Sequence, residues 1–234
     1  MYICISCISI NIIFNMLFVS IGIDCDVANF LTKYNLRKAS LPFDWNVSYN
    51  GVSKCIDCDF KKFTEPLSVE RINEDDVYFH HDFLNETTIL TDKEKYDRRC
   101  LRLLNMLEMN NTADSNANGG VPILFIRKGH MCYHHEEQNG KYKNITDDYE
   151  DAKKLNSVLL SKYPHLKYKI IVILGCTECF KKDTVCVKDT DNNIEVYNNV
   201  CDAGEDRNKL FEECLLNICI EKIREDRENK KLIF

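Results

Sequence analysis

The sequence predicts a single α/β domain built on a mixed, mostly parallel sheet flanked by helices, and three observations predict it. Val121-Pro122-Ile123-Leu124-Phe125-Ile126 and Tyr168-Lys169-Ile170-Ile171-Val172-Ile173-Leu174-Gly175 are near-continuous apolar runs, as strands covered on both faces require. Between them, Asp148 to Tyr163 carries an amphipathic helical pattern ended by Pro164. Leu17 to Ile21 is a short apolar strand that passes through Gly22 into another helix. Strands that alternate with helices build a parallel sheet.

Taken in order, the first strand leads to a helix from about Cys25 to Tyr34, with Val27, Phe30, Leu31 and Tyr34 on one face and Asp24 as its N-cap. Ser40 to Trp45, which contains Pro42, reads as an extended piece and a turn. Ser48 to Cys58 reads as a second helix, and Asp59 to Asn73 as irregular chain with Pro66 as a breaker. Val77 to Phe83 reads as a strand. Asp92 to Met109 reads as a long helix carrying Tyr96, Cys100, Leu103, Leu104 and Leu107.

Asn110 to Gly120 is rich in Asn, Ser and Gly and reads as a surface loop within one domain. Beyond the helix and strand already named, Thr184 to Lys188 and Asn193 to Tyr197 form a hairpin around Asp191-Asn192. Asp206 to Arg227 is a closing helix. The domain is therefore expected over residues 16–228, with residues 1–15 an apolar extension and 229–234 a charged tail. The extension lacks a positively charged start and a small-residue cleavage site, so a cytoplasmic chain is expected over one secreted through residues 1–20, and no membrane association is expected.

At 234 residues, 44% hydrophobic and 29% charged, the chain is long enough and apolar enough for a substantial core. A formal charge of −6, with no basic run interleaved with aromatics, argues against nucleic acid as a partner. The 13 cysteines lack the spacing of a disulfide framework and read as mostly reduced thiols, those at Cys100, Cys214 and Cys219 as small buried hydrophobes. Cys-x-x-Cys pairs occur at Cys4/Cys7, Cys55/Cys58 and Cys176/Cys179. The last two lie over a hundred residues apart and lack knuckle glycines, so no zinc site is expected from them. Cys176/Cys179 lacks the element order of a thioredoxin-like start. His130, Cys132, His134 and His135 read as a polar loop, and no metal or cofactor is expected.

One cysteine stands apart by its setting. In Ser20-Ile21-Gly22-Ile23-Asp24-Cys25 a strand runs through a glycine turn and delivers Cys25 to the start of a helix, where unpaired N–H groups favour a thiolate. Val77 to Phe83 supplies His80 and His81. If the segment is a strand, neighbours point to opposite faces and only one imidazole can face Cys25. Asp24 and Asp26 oppose the thiolate, because carboxylates beside a thiol favour its protonated form.

Five blocks occur in order: the segment around Cys25, Pro42-Phe43-Asp44-Trp45, Phe79-His80-His81-Asp82-Phe83, Tyr96-Asp97-Arg98-Arg99 and Leu124-Phe125-Ile126-Arg127. This succession resembles a family of uncharacterised proteins of bacteria and large DNA viruses described as papain-like cysteine peptidases. The resemblance implies Cys25 as nucleophile, His81 as base with His80 as the alternative, Asp44 as the group that orients the imidazole, and Trp45 beside the site. It implies a peptide or small acyl substrate, acyl transfer through a Cys25 thioester, and the papain-like α+β architecture as the alternative to the layered parallel sheet.

Two other readings stand beside this one. Arg98, Arg99 and Arg127, at a helix and a strand end, suit a phosphate or carboxylate, as in a sugar-nucleotide-binding transferase-like domain with His81 and Asp82 in acid/base roles. The third is a non-enzymatic viral or host interaction module. A cleft shared by Cys25 and a histidine, a convergence of the three arginines, or neither, separates them.

Overall fold

The computed structural model describes residues 16–48, 51–65, 70–113, 120–129, 148–176, 187–189, 193–200 and 206–231. Its strands are β1 (Leu17–Ser20), β2 (Val47–Ser48), β3 (Val77–Tyr78), β4 (Ile123–Lys128), β5 (Tyr168–Cys176), β6 (Val187–Asp189) and β7 (Ile194–Val200). Its helices are α1 (Asp26–Lys33), α2 (Val52–Asp57), α3 (Ile89–Asn110), α4 (Asp148–Lys162) and α5 (Arg207–Lys231). The main sheet has five strands in the order β1-β4-β5-β7-β6, and β2 and β3 form a separate two-stranded ribbon.

β1, β4, β5 and β7 are mutually parallel, and β6 pairs antiparallel with β7 as the hairpin requires. The apolar runs explain this arrangement, since all six positions of β4 are buried and only a strand covered on both faces hides consecutive side chains. Period-2 geometry sorts them into two cores. Val19, Ile21, Ile123, Phe125, Ile170 and Val172 face a cluster that includes α2, α3 and α4. Phe18, Leu124, Ile126, Ile171 and Ile173 face the other cluster, built with Phe30 and Leu31 of α1 and Phe211, Leu215 and Ile218 of α5. The result is helix, sheet and helix in three layers, so the α/β expectation holds and the papain-like α+β alternative is not the architecture formed.

At the edge of the first core, Phe43, Phe60, Phe63, Phe79, Phe83 and Tyr96 pack ring on ring, with Phe79 centroids 4.9 Å from both Phe83 and Tyr96 and Phe43 5.8 Å from Phe63. Three blocks of the sequence resemblance meet in this cluster, so part of their pattern is packing.

Two expected elements differ. The helix expected from Ser48 starts at Val52, because Ser48 is in β2 and its N–H donates to the Ile23 carbonyl at 3.0 Å. The strand expected over Val77 to Phe83 ends at Tyr78, after which the chain turns with the His80 N–H on the Tyr78 carbonyl at 3.2 Å. Residues 1–15, Cys179, His130, Cys132, His134 and His135, the centre of the 110–120 loop and the end of the charged tail lie outside the described residues. Among the described residues no helix is long and apolar enough to cross a membrane.

Candidate active site

The carboxyl ends of β1 and β4 meet where the sheet gives way to loops, the usual place for a site in an open parallel sheet. Pairing continues beyond β1, with the Ile21 N–H on the Ile126 carbonyl at 2.9 Å, the Lys128 N–H on the Gly22 carbonyl at 2.9 Å and the Ile23 N–H on the Lys128 carbonyl at 3.0 Å. Gly22 has φ +100°, and a Cβ there would lie 2.5 Å from Ser48 Oγ and 2.8 Å from the Ser48 carbonyl oxygen. Only glycine combines that backbone with so close a neighbour.

Cys25 follows as the N-cap of α1, half-buried, with its carbonyl accepting from the Asn29 N–H at 2.9 Å. Asp24, expected as the cap, lies one residue earlier but still supplies a side-chain acceptor: its Oδ1 takes the Asp26 N–H at 2.9 Å. Burial pushes the thiol above its ordinary value, and the carboxylates of Asp24 and Asp26 add to this, while a backbone hydrogen bond and the Lys128 ammonium pull the other way. The resting sulfur is therefore a protonated thiol near neutral pH.

Lys128 was not singled out by the sequence. Its buried ammonium donates to Asp24 Oδ2 at 3.0 Å and to Asp26 Oδ2, over the Phe211 ring at 5.4 Å. Burial opposes its charge, but the two carboxylates win and hold its titration above the ordinary lysine value. One cation thus faces two anions around Cys25.

The neighbouring Arg127 is buried too. Its Nε donates to Asp148 Oδ1 at 2.6 Å, Nη1 to the Ser48 carbonyl at 3.1 Å and the Ile21 carbonyl at 3.4 Å, and Nη2 lies 3.7 Å from Asp151 Oδ2. It ties β1, β2 and α4 together behind the turn. Arg98 is exposed and lies 3.9 Å from Glu94, and Arg99 lies over the Tyr96 ring at 4.8 Å. Each of the three arginines has its own protein partner.

Asp44 is buried in its own turn, where its Oδ2 accepts from the Leu41 N–H at 2.7 Å and from Arg37 Nη2 at 2.6 Å and Nε at 3.1 Å. Burial raises its carboxyl above the ordinary range against these donors. Trp45, half-buried, covers the other side of Arg37 at 5.4 Å. No hydrogen bond joins Asp44 to a described histidine.

His80 and His81 are both exposed, their rings 4.7 Å apart and perpendicular. Strand alternation does not choose between them, because the strand has already ended. Arg71 secures the preceding chain by donating to the Phe79 carbonyl at 3.2 Å and the His80 carbonyl at 3.0 Å. No hydrogen bond joins the Cys25 sulfur to either ring. The two segments are nonetheless linked through the ribbon: Tyr78 pairs with Val47, and Ser48 is bonded to Ile23, two residues before Cys25.

Beyond the histidines, Asp82 accepts from the Tyr96 hydroxyl at 2.7 Å and pairs with Lys95 at 2.5 Å. Lys95 also bonds Asp92 at 2.7 Å, and Asp92 Oδ2 takes the Phe83 N–H at 2.8 Å. The signals that could have revealed these roles are small: a second cation at the end of a buried strand for Lys128, and acids three residues apart, Asp148 and Asp151, opening a helix. Among the described residues no group of three or more His, Cys, Asp or Glu is placed to hold a metal ion.

Residues 16–78 match the model of a family described as "Putative papain-like cysteine peptidase". The matched segment runs from the start of β1 through Cys25 and Asp44 to the end of β3, and stops short of His80 and His81. No curated protein and no solved structure matches the chain.

Proposed function

We propose that this protein is a thiol hydrolase acting by acyl transfer through Cys25 on a peptide or small acyl substrate. The observation that carries the reading is the position of Cys25, a half-buried thiol capping the N-terminus of α1 at the carboxyl end of β1. The first-turn N–H groups of α1 have no acceptor within the helix, and an oxyanion formed beside the sulfur would be stabilised by them. The family match to residues 16–78 supports the same chemistry.

The raised thiol decides the form of the mechanism. A preformed thiolate–imidazolium pair is not what burial and two carboxylates favour, so the base takes the proton as the sulfur attacks. We assign that role to His81, with His80 as the alternative. The Sγ–C bond forms as the S–H proton passes to the imidazole, which then protonates the leaving group. Water, deprotonated by the same imidazole, breaks the thioester and releases the acid and free Cys25. The phosphate-binding alternative has less support, since Arg127 is buried against Asp148 and three other partners.

The test is exposure to p-nitrophenyl acetate, with acetylated cysteines located by peptide mass spectrometry in the wild type, Cys25→Ala, His81→Ala and His80→Ala. Preferential acetylation of Cys25, lost in one histidine variant, is the expected result. Acetylation spread over the accessible cysteines and indifferent to both histidines overturns the reading in favour of a non-enzymatic module.

A further inference from the structure

The loop from Phe79 to Thr88 is an unusual place to find two exposed imidazoles, because its backbone is held from both sides. Upstream, Arg71 bonds the carbonyls of Phe79 and His80, and its Nη2 donates to the Tyr78 hydroxyl at 2.9 Å. Downstream, the Asp82 carboxylate is gripped by α3 through the Tyr96 hydroxyl and the Lys95 ammonium. Both partners lie in the first two turns of that helix, and Tyr96 is fully buried. Phe83, next in the chain, adopts φ +58° and buries its ring between Phe79 and Tyr96, with its N–H on Asp92. A phenylalanine at positive φ is strained, and such strain persists where surrounding contacts fix it.

A loop whose task was only to connect β3 to α3 would need none of this. The three bonded groups bracket His80 and His81 alone, leave both rings accessible, and fix the backbone that aims them. A general base has to be held within a few tenths of an ångström of its working position by groups that are themselves locked. Asp44 is committed to Arg37 and the Leu41 N–H, so it does not fix this loop.

We propose that Asp82 is the positioning residue for His81: by joining the histidine loop to Tyr96 and Lys95 of α3 it holds the imidazole where it meets the substrate on Cys25. The proposal rests on the thiol-hydrolase reading. Asp82 itself transfers no proton, because its carboxylate is occupied by two donors from the helix.

The test compares the wild type with Asp82→Asn, Asp82→Glu, Tyr96→Phe and His81→Ala. It reads acetylation of Cys25 by p-nitrophenyl acetate, hydrogen exchange of the His80 to Phe83 amides, and helix content. Asp82→Asn is expected to keep its helix content, to speed exchange in the loop, and to slow Cys25 acetylation by about tenfold to 100-fold. Tyr96→Phe, which removes one bond and keeps the ring packing, is expected to fall between it and the wild type. Asp82→Glu, which keeps a carboxylate for both donors, is expected to recover part of the rate, which a general packing defect would not allow. Asp82→Asn with wild-type exchange and rate, while His81→Ala is slow, overturns the positioning role alone. His81→Ala at the wild-type rate overturns the assignment of the base and the positioning role with it, even if the loop still loosens in Asp82→Asn.

Discussion

Arg127 Nε lies 2.6 Å from Asp148 Oδ1 with the two side chains 5% and 6% exposed, so a buried ion pair joins the interior strand β4 to the first residue of α4. Removing one member leaves the other charged and dehydrated, which typically costs about 3–5 kcal/mol. Asp148→Ala and Arg127→Met should each lower the unfolding free energy measured in urea by that order. The double variant should lose much less than the sum. Additive losses in the cycle would show that the pair is not coupled.

Gly22 sets the turn that aims Cys25, and its constraint is steric on both sides. Gly22→Ala has to relieve φ +100° and a methyl 2.5 Å from Ser48 Oγ, for a cost of about 1–3 kcal/mol. Thermal unfolding should shift accordingly. Since Ser48 belongs to β2, the strain passes to the ribbon, and Ser48→Ala should not rescue the variant because the Ser48 carbonyl lies 2.8 Å from the same methyl. A Gly22→Ala protein as stable as wild type would contradict the turn geometry.

Charge around the thiol is adjustable from Asp26. Asp26→Asn removes one of the carboxylates that raise the Cys25 titration and leaves Lys128 opposed by Asp24 alone. Iodoacetamide labelling of Cys25 at pH 7.5 should quicken about fivefold, the effect of a unit charge worth about 1 kcal/mol at short range in water. Unchanged labelling would mean that these carboxylates do not reach the sulfur electrostatically.

Asp92 makes the histidine loop sensitive to acid. Burial disfavours its charge, but Lys95 and the Phe83 N–H outweigh burial and hold its carboxyl below the ordinary range. A carboxyl whose folded value is depressed contributes stability that is complete above its unfolded value, near 3.9, and is lost as pH falls through the folded one. Melting temperatures should therefore drop on acidification below about pH 4. Asp92→Asn should melt lower at neutral pH and show a weaker drop, and a parallel fall in both proteins would exclude this group as a cause.

The elements that carry a period were legible in the sequence. β1, β4 and β5 are apolar runs too consecutive for a half-exposed strand, and α1 and α4 repeat their buried residues at helical spacing. β2 and β3, two residues each, have no room for alternation, so Val77 to Phe83 reads as a longer strand than it forms. Ser48 is a good helix cap by type, but a sheet carbonyl claims its N–H. At the site, the position of Cys25 could be read because strand, glycine and helix are contiguous. Arg127 reads as a strand-end guanidinium suited to a phosphate or carboxylate, and Lys128 carries no signal of its own, so neither could be assigned its buried carboxylates. Their carboxylate partners lie 21 to 104 positions away in the chain.

The pairing of β1 with β4 also bears on how the molecule is made. Ile21 and Arg127, which touch behind the candidate site, are 106 positions apart. On a ribosome the cysteine-bearing segment emerges long before the strand that receives it, and closing so large a loop is entropically slow. Until β4 arrives, the apolar strand and Cys25 are exposed together, a state prone to aggregation and to oxidation of the thiol. The buried setting around Cys25 is thus a late product of folding, and a fragment cut at the end of β3 would carry the cysteine without it.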